Sequence, residues 1–159
     1  MRYLHAHWRI GYVRTPRERR KAPFEAALDA VSPREHLLLY RDASAFILMN
    51  RYPYNAGHLL VLPVRRVGDL AELDDGEAAG LMAGIRRAQR TLVRAMAPDG
   101  FNIGFNVGGA AGAGLPDHLH CHVVPRWNGD TNFMPVVGAT KVLPQALEDL
   151  YDTLLPHVP

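Results

Sequence analysis

Apolar residues fall along the chain in short blocks of different period. HLLLYRD at 36–42 and SAFILMN at 44–50 are runs of strand length on either side of a polar break, and they predict a β-hairpin. Arg51-Tyr52-Pro53-Tyr54-Asn55-Ala56-Gly57 then gathers proline, asparagine and glycine, which favour loops, before HLLVLPV at 58–64 resumes as a strand. Asp74 with Glu77 three positions on resembles a helix capping pair. Leu81, Ile85, Ala88, Leu92 and Met96 follow at spacings of four, three, four and four. They mark one face of a helix running to about Met96, with Arg86, Arg87, Arg90 and Arg94 away from that face and Pro98-Asp99-Gly100 ending it. FNIGFNVG at 101–108 predicts a further strand, His118–Pro125 another, and Gln145–Leu155 a last helix. Upstream, FEAALDA after Pro23 predicts a short helix that stops before Ser32-Pro33, because a residue preceding proline avoids the α region.

This order points to an α+β fold with a mostly antiparallel sheet, one long helix and a C-terminal helix, rather than to repeated β-α-β units. At 159 residues, 48% hydrophobic and 21% charged, the chain has the balance of one domain spanning 1–159, with 1–22 as an N-terminal arm and 127–159 as a C-terminal extension. A disordered tail and a fibre are excluded. No run approaches the roughly 18 apolar residues of a membrane span, and the opening MRYLHAHWRI has no secretory pattern. The single cysteine, Cys121, has no intramolecular partner, so a reduced cytoplasm is the expected compartment.

Charge is uneven beneath a net +2. Residues 1–66 hold 12 basic and 5 acidic side chains, and the remainder holds 6 and 11. RTPRERRK at 14–21 crowds five basic residues and reads either as a solvated arm or as a contact for a polyanion.

The densest chemistry lies in Asp117-His118-Leu119-His120-Cys121-His122-Val123-Val124-Pro125. On a strand, His118, His120 and His122 share one face, spaced about 7 Å apart, and Leu119, Cys121 and Val123 share the other. Three readings compete. Half-exposed structural histidines would explain one such residue better than three in register. A metal site needs ligands converging at about 2.0–2.1 Å, which one straight strand does not provide alone. Nucleophilic and acid–base catalysis fits best, because imidazole serves either role near neutral pH. The preceding Asn106-Val107-Gly108-Gly109-Ala110-Ala111-Gly112-Ala113-Gly114 favours that third reading. Small residues let backbone N–H groups approach a phosphate, although flexible turns are also glycine-rich.

His118–Val124 resembles the His-φ-His-φ-His-φ-φ motif (φ, apolar) of the histidine triad superfamily. Tyr3-Leu4 with Trp8-Arg9 is similar to that family's N-terminal segment, and Asn50 to His58 to its nucleotide-side strand and loop. Val124 to Pro135, continuing to Thr140-Lys141-Val142, resembles the branch with bacterial diadenosine tetraphosphate hydrolases and phosphorylases.

The resemblance implies an enzyme that cleaves diadenosine polyphosphates or other AMP-linked substrates at the α-phosphorus through a nucleotidyl-histidine. Water would be the acceptor; phosphate, or a nucleotide-binding interaction protein with incidental turnover, is the alternative. By the same resemblance His120 is the nucleophile, His122 contacts phosphate and assists the leaving group, His118 supports them, and His58 is a fourth site histidine. Asn50 would meet the ribose, Phe46 a base, and Asn106, Gly112 and Gly114 the phosphates, while Trp127 would stack on a second nucleoside. Phe46 and Trp127 also read as structural aromatics. Where many relatives carry a zinc-binding Cys-x-x-Cys, this chain has Ala22-Pro23-Phe24-Glu25, so no metal and no cofactor is expected. His5, His7, His36 and His157 read as surface or packing residues. A homodimer that binds neither nucleic acid nor membrane completes the expectation.

Overall fold

The computed structural model describes residues 23–28, 31–130 and 146–159. The basic arm at 14–21, the Tyr3 to Arg9 segment and the Thr140-Lys141-Val142 stretch lie outside the described residues. Five strands form one antiparallel sheet in the order β1-β2-β3-β5-β4. They are β1 (Leu38–Arg41), β2 (Ala45–Met49), β3 (Leu59–Pro63), β4 (Gly100–Phe105) and β5 (Cys121–Arg126). The helices are α1 (Pro23–Leu28), α2 (Asp75–Met96) and α3 (Leu147–Leu154). The expected α+β class holds, with the sheet antiparallel throughout.

Local chemistry accounts for the junctions. Asp42 turns β1 into β2 by accepting N–H bonds from Ser44 and Ala45 at 2.8 Å each. Asp74 and Glu77 close a reciprocal capping box at the start of α2. Its end falls at Ala97, in the left-handed region at φ 45°, directly before Pro98.

The two sheet faces carry different neighbours. One face presents Ile47, Met49, Leu59, Val61, Cys121 and Val123 to the predicted stripe of α2, of which Leu81, Ile85, Ala88 and Leu92 are buried and Met96 is partly so. Leu150, Tyr151 and Leu154 of α3 join this core. Gly84 lets α2 approach closely, since a Cβ there would lie 2.9 Å from Val61 Cγ1. The other face holds Phe46, Leu48, Leu60 and Leu62 beneath Phe24 and Ala27 of α1. No helix among the described residues is long and apolar enough to cross a membrane.

Topology positions the chemistry. β5 inserts between β3 and β4, so the residue before β3 and the loop after β4 flank it from opposite sides. His122 pairs with Leu60 on β3 and Gly104 on β4, and therefore shares the face lined by Leu60. The expected strand over His118–Pro125 is shorter in the structure, beginning at Cys121. His118 and His120 sit in the irregular lead-in, where Leu119 N–H donates to Val67 O rather than into the strand ladder.

Candidate active site

Four histidines converge on the sheet face opposite α2. His120 and His122 have ring centroids 5.1 Å apart, as do His58 and His122. This is tighter than the 7 Å period of a straight strand, because the chain leaves regular extension before Cys121. His118 is buried among aromatics, with Phe24 at 5.7 Å and Phe46 at 6.0 Å between ring centroids. Its Nε2 lies 2.9 Å from Pro63 O, to which it donates.

Hydrogen bonds fix the protons on the other three rings. His120 Nδ1–H donates to the backbone carbonyl of His118 at 2.8 Å, which leaves the lone pair on Nε2. Burial holds the His120 imidazole below its ordinary range. The His118 carbonyl bond acts in the opposite direction, and the His118 charge adds to the lowering. The ring is therefore neutral and nucleophilic at neutral pH.

A second chain of bonds begins at the Tyr54 backbone. Its N–H donates to His58 Nδ1 at 3.0 Å, so His58 carries its proton on Nε2. That Nε2 lies 3.0 Å from His122 Nδ1 and donates to it, which leaves the His122 proton on Nε2. Asn106 Nδ2 lies 3.4 Å from this nitrogen, and with the carboxamide turned so that Oδ1 faces the ring it accepts the His122 N–H. One imidazole thus presents a lone pair and its neighbour an N–H, which suits attack on an electrophile with a hydrogen bond to a departing oxygen.

The remaining expected residues divide. Asn50 stands at the rim, with Nδ2 3.3 Å from His58 Nδ1 and Oδ1 accepting the Tyr52 N–H at 2.9 Å. Gly112 and Gly114 lie farther along the loop that begins at Asn106, and Gly112 occupies the left-handed region at φ +87°. Phe46 is fully buried with Leu48, Leu60 and Leu62, and borders the site through His118. Trp127 follows β5, its N–H on Asp130 Oδ2 at 3.2 Å and its side chain half-buried, and it makes no ring contact with the histidines among the described residues. His36 and His157 lie in single 3₁₀ turns away from the cluster.

Sequence reasoning missed Tyr54, Asn55 and Asp130. The Tyr54 ring lies 4.6 Å from His58 and 5.5 Å from His122, at 22° to the latter. Asn55 Nδ2 donates to Asp130 Oδ2 at 2.9 Å and to Pro125 O at 3.1 Å, tying the 50–58 loop to the end of β5. The available signal was an aromatic residue midway between Asn50 and His58.

Residues 33–129 match the HIT domain family. An AP-4-A phosphorylase of Mycobacterium tuberculosis is 48% identical over 119 residues, which is 75% of this chain and 61% of that protein. The chain therefore spans about three-fifths of that relative's length. An asymmetrical bis(5'-nucleosyl)-tetraphosphatase of Schizosaccharomyces pombe is 32% identical over 93 residues, 58% of this chain and 50% of that one. Among solved structures, a zinc-bound histidine triad family protein from Mycobacterium smegmatis superposes with a TM-score of 0.66 at 27% identity, covering 86% of this chain and 90% of that one.

The Phe24 ring packs against His120, with 5.5 Å between centroids. Among the described residues no three His, Cys, Asp or Glu side chains are grouped to hold a metal. Cys121 faces the core, its thiol pushed up to about 11 by burial, and is a packing residue.

Proposed function

The chain belongs to the HIT domain family, and on that premise we propose that it cleaves dinucleoside polyphosphates such as diadenosine tetraphosphate at an α-phosphorus. The observation that carries the reading is the His120 Nδ1–H bond to His118 O, which aims an Nε2 lone pair outward from a neutral ring.

In the first step His120 Nε2 bonds to the α-phosphorus, and the bond from that phosphorus to the bridging oxygen breaks. The departing oxygen leaves as a phosphate anion, and the His122 Nε2–H donates a hydrogen bond to the charge developing on it. In the second step an acceptor oxygen bonds to the same phosphorus, the N–P bond breaks to return neutral His120, and the acceptor's proton passes to solvent. Asn106 and the glycine-rich loop hold the phosphates through amide donors, and Asn50 takes the ribose.

Two acceptors complete this cycle. Water suits the complete triad. Inorganic phosphate is favoured by the likeness to the Mycobacterium tuberculosis AP-4-A phosphorylase. Products separate them: diadenosine tetraphosphate incubated with the protein gives AMP plus ATP if water accepts, and ADP plus ATP, dependent on added phosphate, if phosphate does. Absence of any cleavage product under both conditions refutes the reading.

A cytoplasmic homodimer is part of the same reading. β4 is an edge strand with Ile103 45% exposed, and Met82 and Val93 of α2 are exposed as well. Covering these residues with a second copy would remove apolar surface and an unpaired edge.

A further inference from the structure

We propose that Phe24 of α1 is a positioning residue for His120, its ring closing one side of that imidazole against water. The inference rests on the reading of His120 as the nucleophile and names a residue that keeps the nucleophile ready.

Packing carries it. Phe24 lies on a helix of only six residues, yet it is 8% exposed, and with Ala27 it covers Phe46, Leu48, Leu60 and Leu62 on the sheet face that bears the histidines. Its ring reaches both residues of the bond that sets the His120 proton, with centroids 5.5 Å from His120 and 5.7 Å from His118. His120 in turn is 7% exposed. Arg41 Nη1 donates to Leu28 O at 2.5 Å and fastens the end of α1 to β1, which keeps the ring seated.

An aromatic ring beside an imidazole acts in two opposed senses. Its face attracts a cation, and its bulk excludes the water that would solvate one. Exclusion wins at His120. The two rings are tilted by 51°, so the imidazole does not lie flat on the Phe24 face, and its Nδ1–H is given to the His118 carbonyl. The imidazole is also held below its ordinary range, with burial as the largest cause. Among the described residues the titratable groups that face it are His118 in the same lead-in and His122 on β5, the latter at 5.1 Å between centroids. A charge on either opposes one on His120. Neighbouring β3 brings Leu60 to this face, and α1 brings Phe24 and Ala27, none of which titrates. The two histidines have their own places in the site, so Phe24 is the part of this burial that a single substitution removes.

The test is a titration of the histidine side chains by nitrogen-detected NMR on the substrate-free protein, with His120 assigned by a His120→Gln variant. Phe24→Ala opens the space to water, and its His120 midpoint rises by about half a pH unit or more relative to the parent. Phe24→Leu, which refills most of the space with an apolar group, stays nearer the parent. An unchanged midpoint in Phe24→Ala overturns the proposal. A lowered one does so as well, since it would show the ring face attracting the imidazolium, and so does a rise in Phe24→Leu equal to that in Phe24→Ala. If Phe24→Ala does not fold, Phe24→Val decides by the same readout, a raised midpoint supporting the proposal and any other result overturning it. No substrate is involved, so an unchanged midpoint leaves diadenosine tetraphosphate cleavage untouched, and a failure of cleavage leaves the titration result standing.

Discussion

His120 donates its Nδ1–H to the carbonyl oxygen of His118, two residues earlier in the chain, at 2.8 Å. The bond exists because the backbone there is irregular: in a continued β-strand that carbonyl would point at a neighbouring strand. Loss of strand geometry at 118–120 therefore supplies the acceptor that holds the His120 proton on Nδ1 and leaves the Nε2 lone pair, as the proposed nucleophile requires. Replacing His120 with alanine is expected to lower kcat by about a thousandfold or more, since no other group in the site presents a lone pair at that place. Mass spectrometry of acid-stable and acid-labile species after rapid quench is the companion measurement. The parent should carry one nucleotidyl group that the variant lacks.

The buried, neutral state of His120 also has a pH signature. Its pKa is depressed below 6.5 in the folded protein, chiefly by desolvation. The unfolded chain binds this proton at a higher pH than the native one does, so stability decreases as pH falls below about 6.5 toward the native value. Thermal midpoints of the parent should drop on going from about pH 7 to about pH 5.5, and a His120→Gln variant should show a shallower drop. With His120 as the proposed nucleophile, the same lowering should place the acid limb of kcat/KM under the ordinary histidine value.

The hydrophobic pattern located the central strands because β2 and β3 are buried along their whole length, and the long helix because it buries one stripe. The spacing from Leu81 to Leu92 is a direct consequence of that burial. Asp74 and Glu77 act as the spacing predicted, because a capping box is local chemistry. The contact of His58 with His122 is different in kind. It depends on β5 entering the sheet between β3 and β4, a fact of topology that no local pattern encodes. Tyr54 and Asp130 escaped notice for the same reason, since their roles come from residues 4 to 75 positions away in sequence. The N-terminal arm that drew attention by its charge lies outside the described residues, and among the described residues the site is built from imidazoles and amides.

Gly57 precedes His58 at φ +78°, and a Cβ there would lie 2.8 Å from Met96 Sδ, 3.0 Å from Leu92 Cδ2 and 3.1 Å from Pro125 Cγ. Backbone conformation and packing both exclude a side chain. Gly57→Ala should destabilise the fold by about 1–3 kcal/mol, read by chemical denaturation. Because the adjustment falls beside His58, the variant should also lose activity beyond the fraction unfolded. Turnover per folded molecule equal to the parent's would show that His58 tolerates displacement.

Asp130 gathers four bonds at the end of β5. Its Oδ2 accepts from Arg126 Nε at 2.6 Å, Asn55 Nδ2 at 2.9 Å and Trp127 N at 3.2 Å, while Oδ1 accepts from an Arg126 terminal nitrogen at 2.7 Å. The carboxylate thus joins the loop that carries Tyr54 to the strand that carries His122. Asp130→Ala leaves the Asn55 amide and the Trp127 N–H without this acceptor, at a cost of about 1–3 kcal/mol. Asp130→Asn, which keeps an acceptor oxygen, should cost less. The specific consequence is expected one residue away from the lost bond: amide exchange at Tyr54, protected by its bond to His58 Nδ1, should quicken in Asp130→Ala and in Asn55→Ala alike. Unchanged exchange at Tyr54 in both variants would mean that the loop holds its shape by itself and that the carboxylate only pins Arg126.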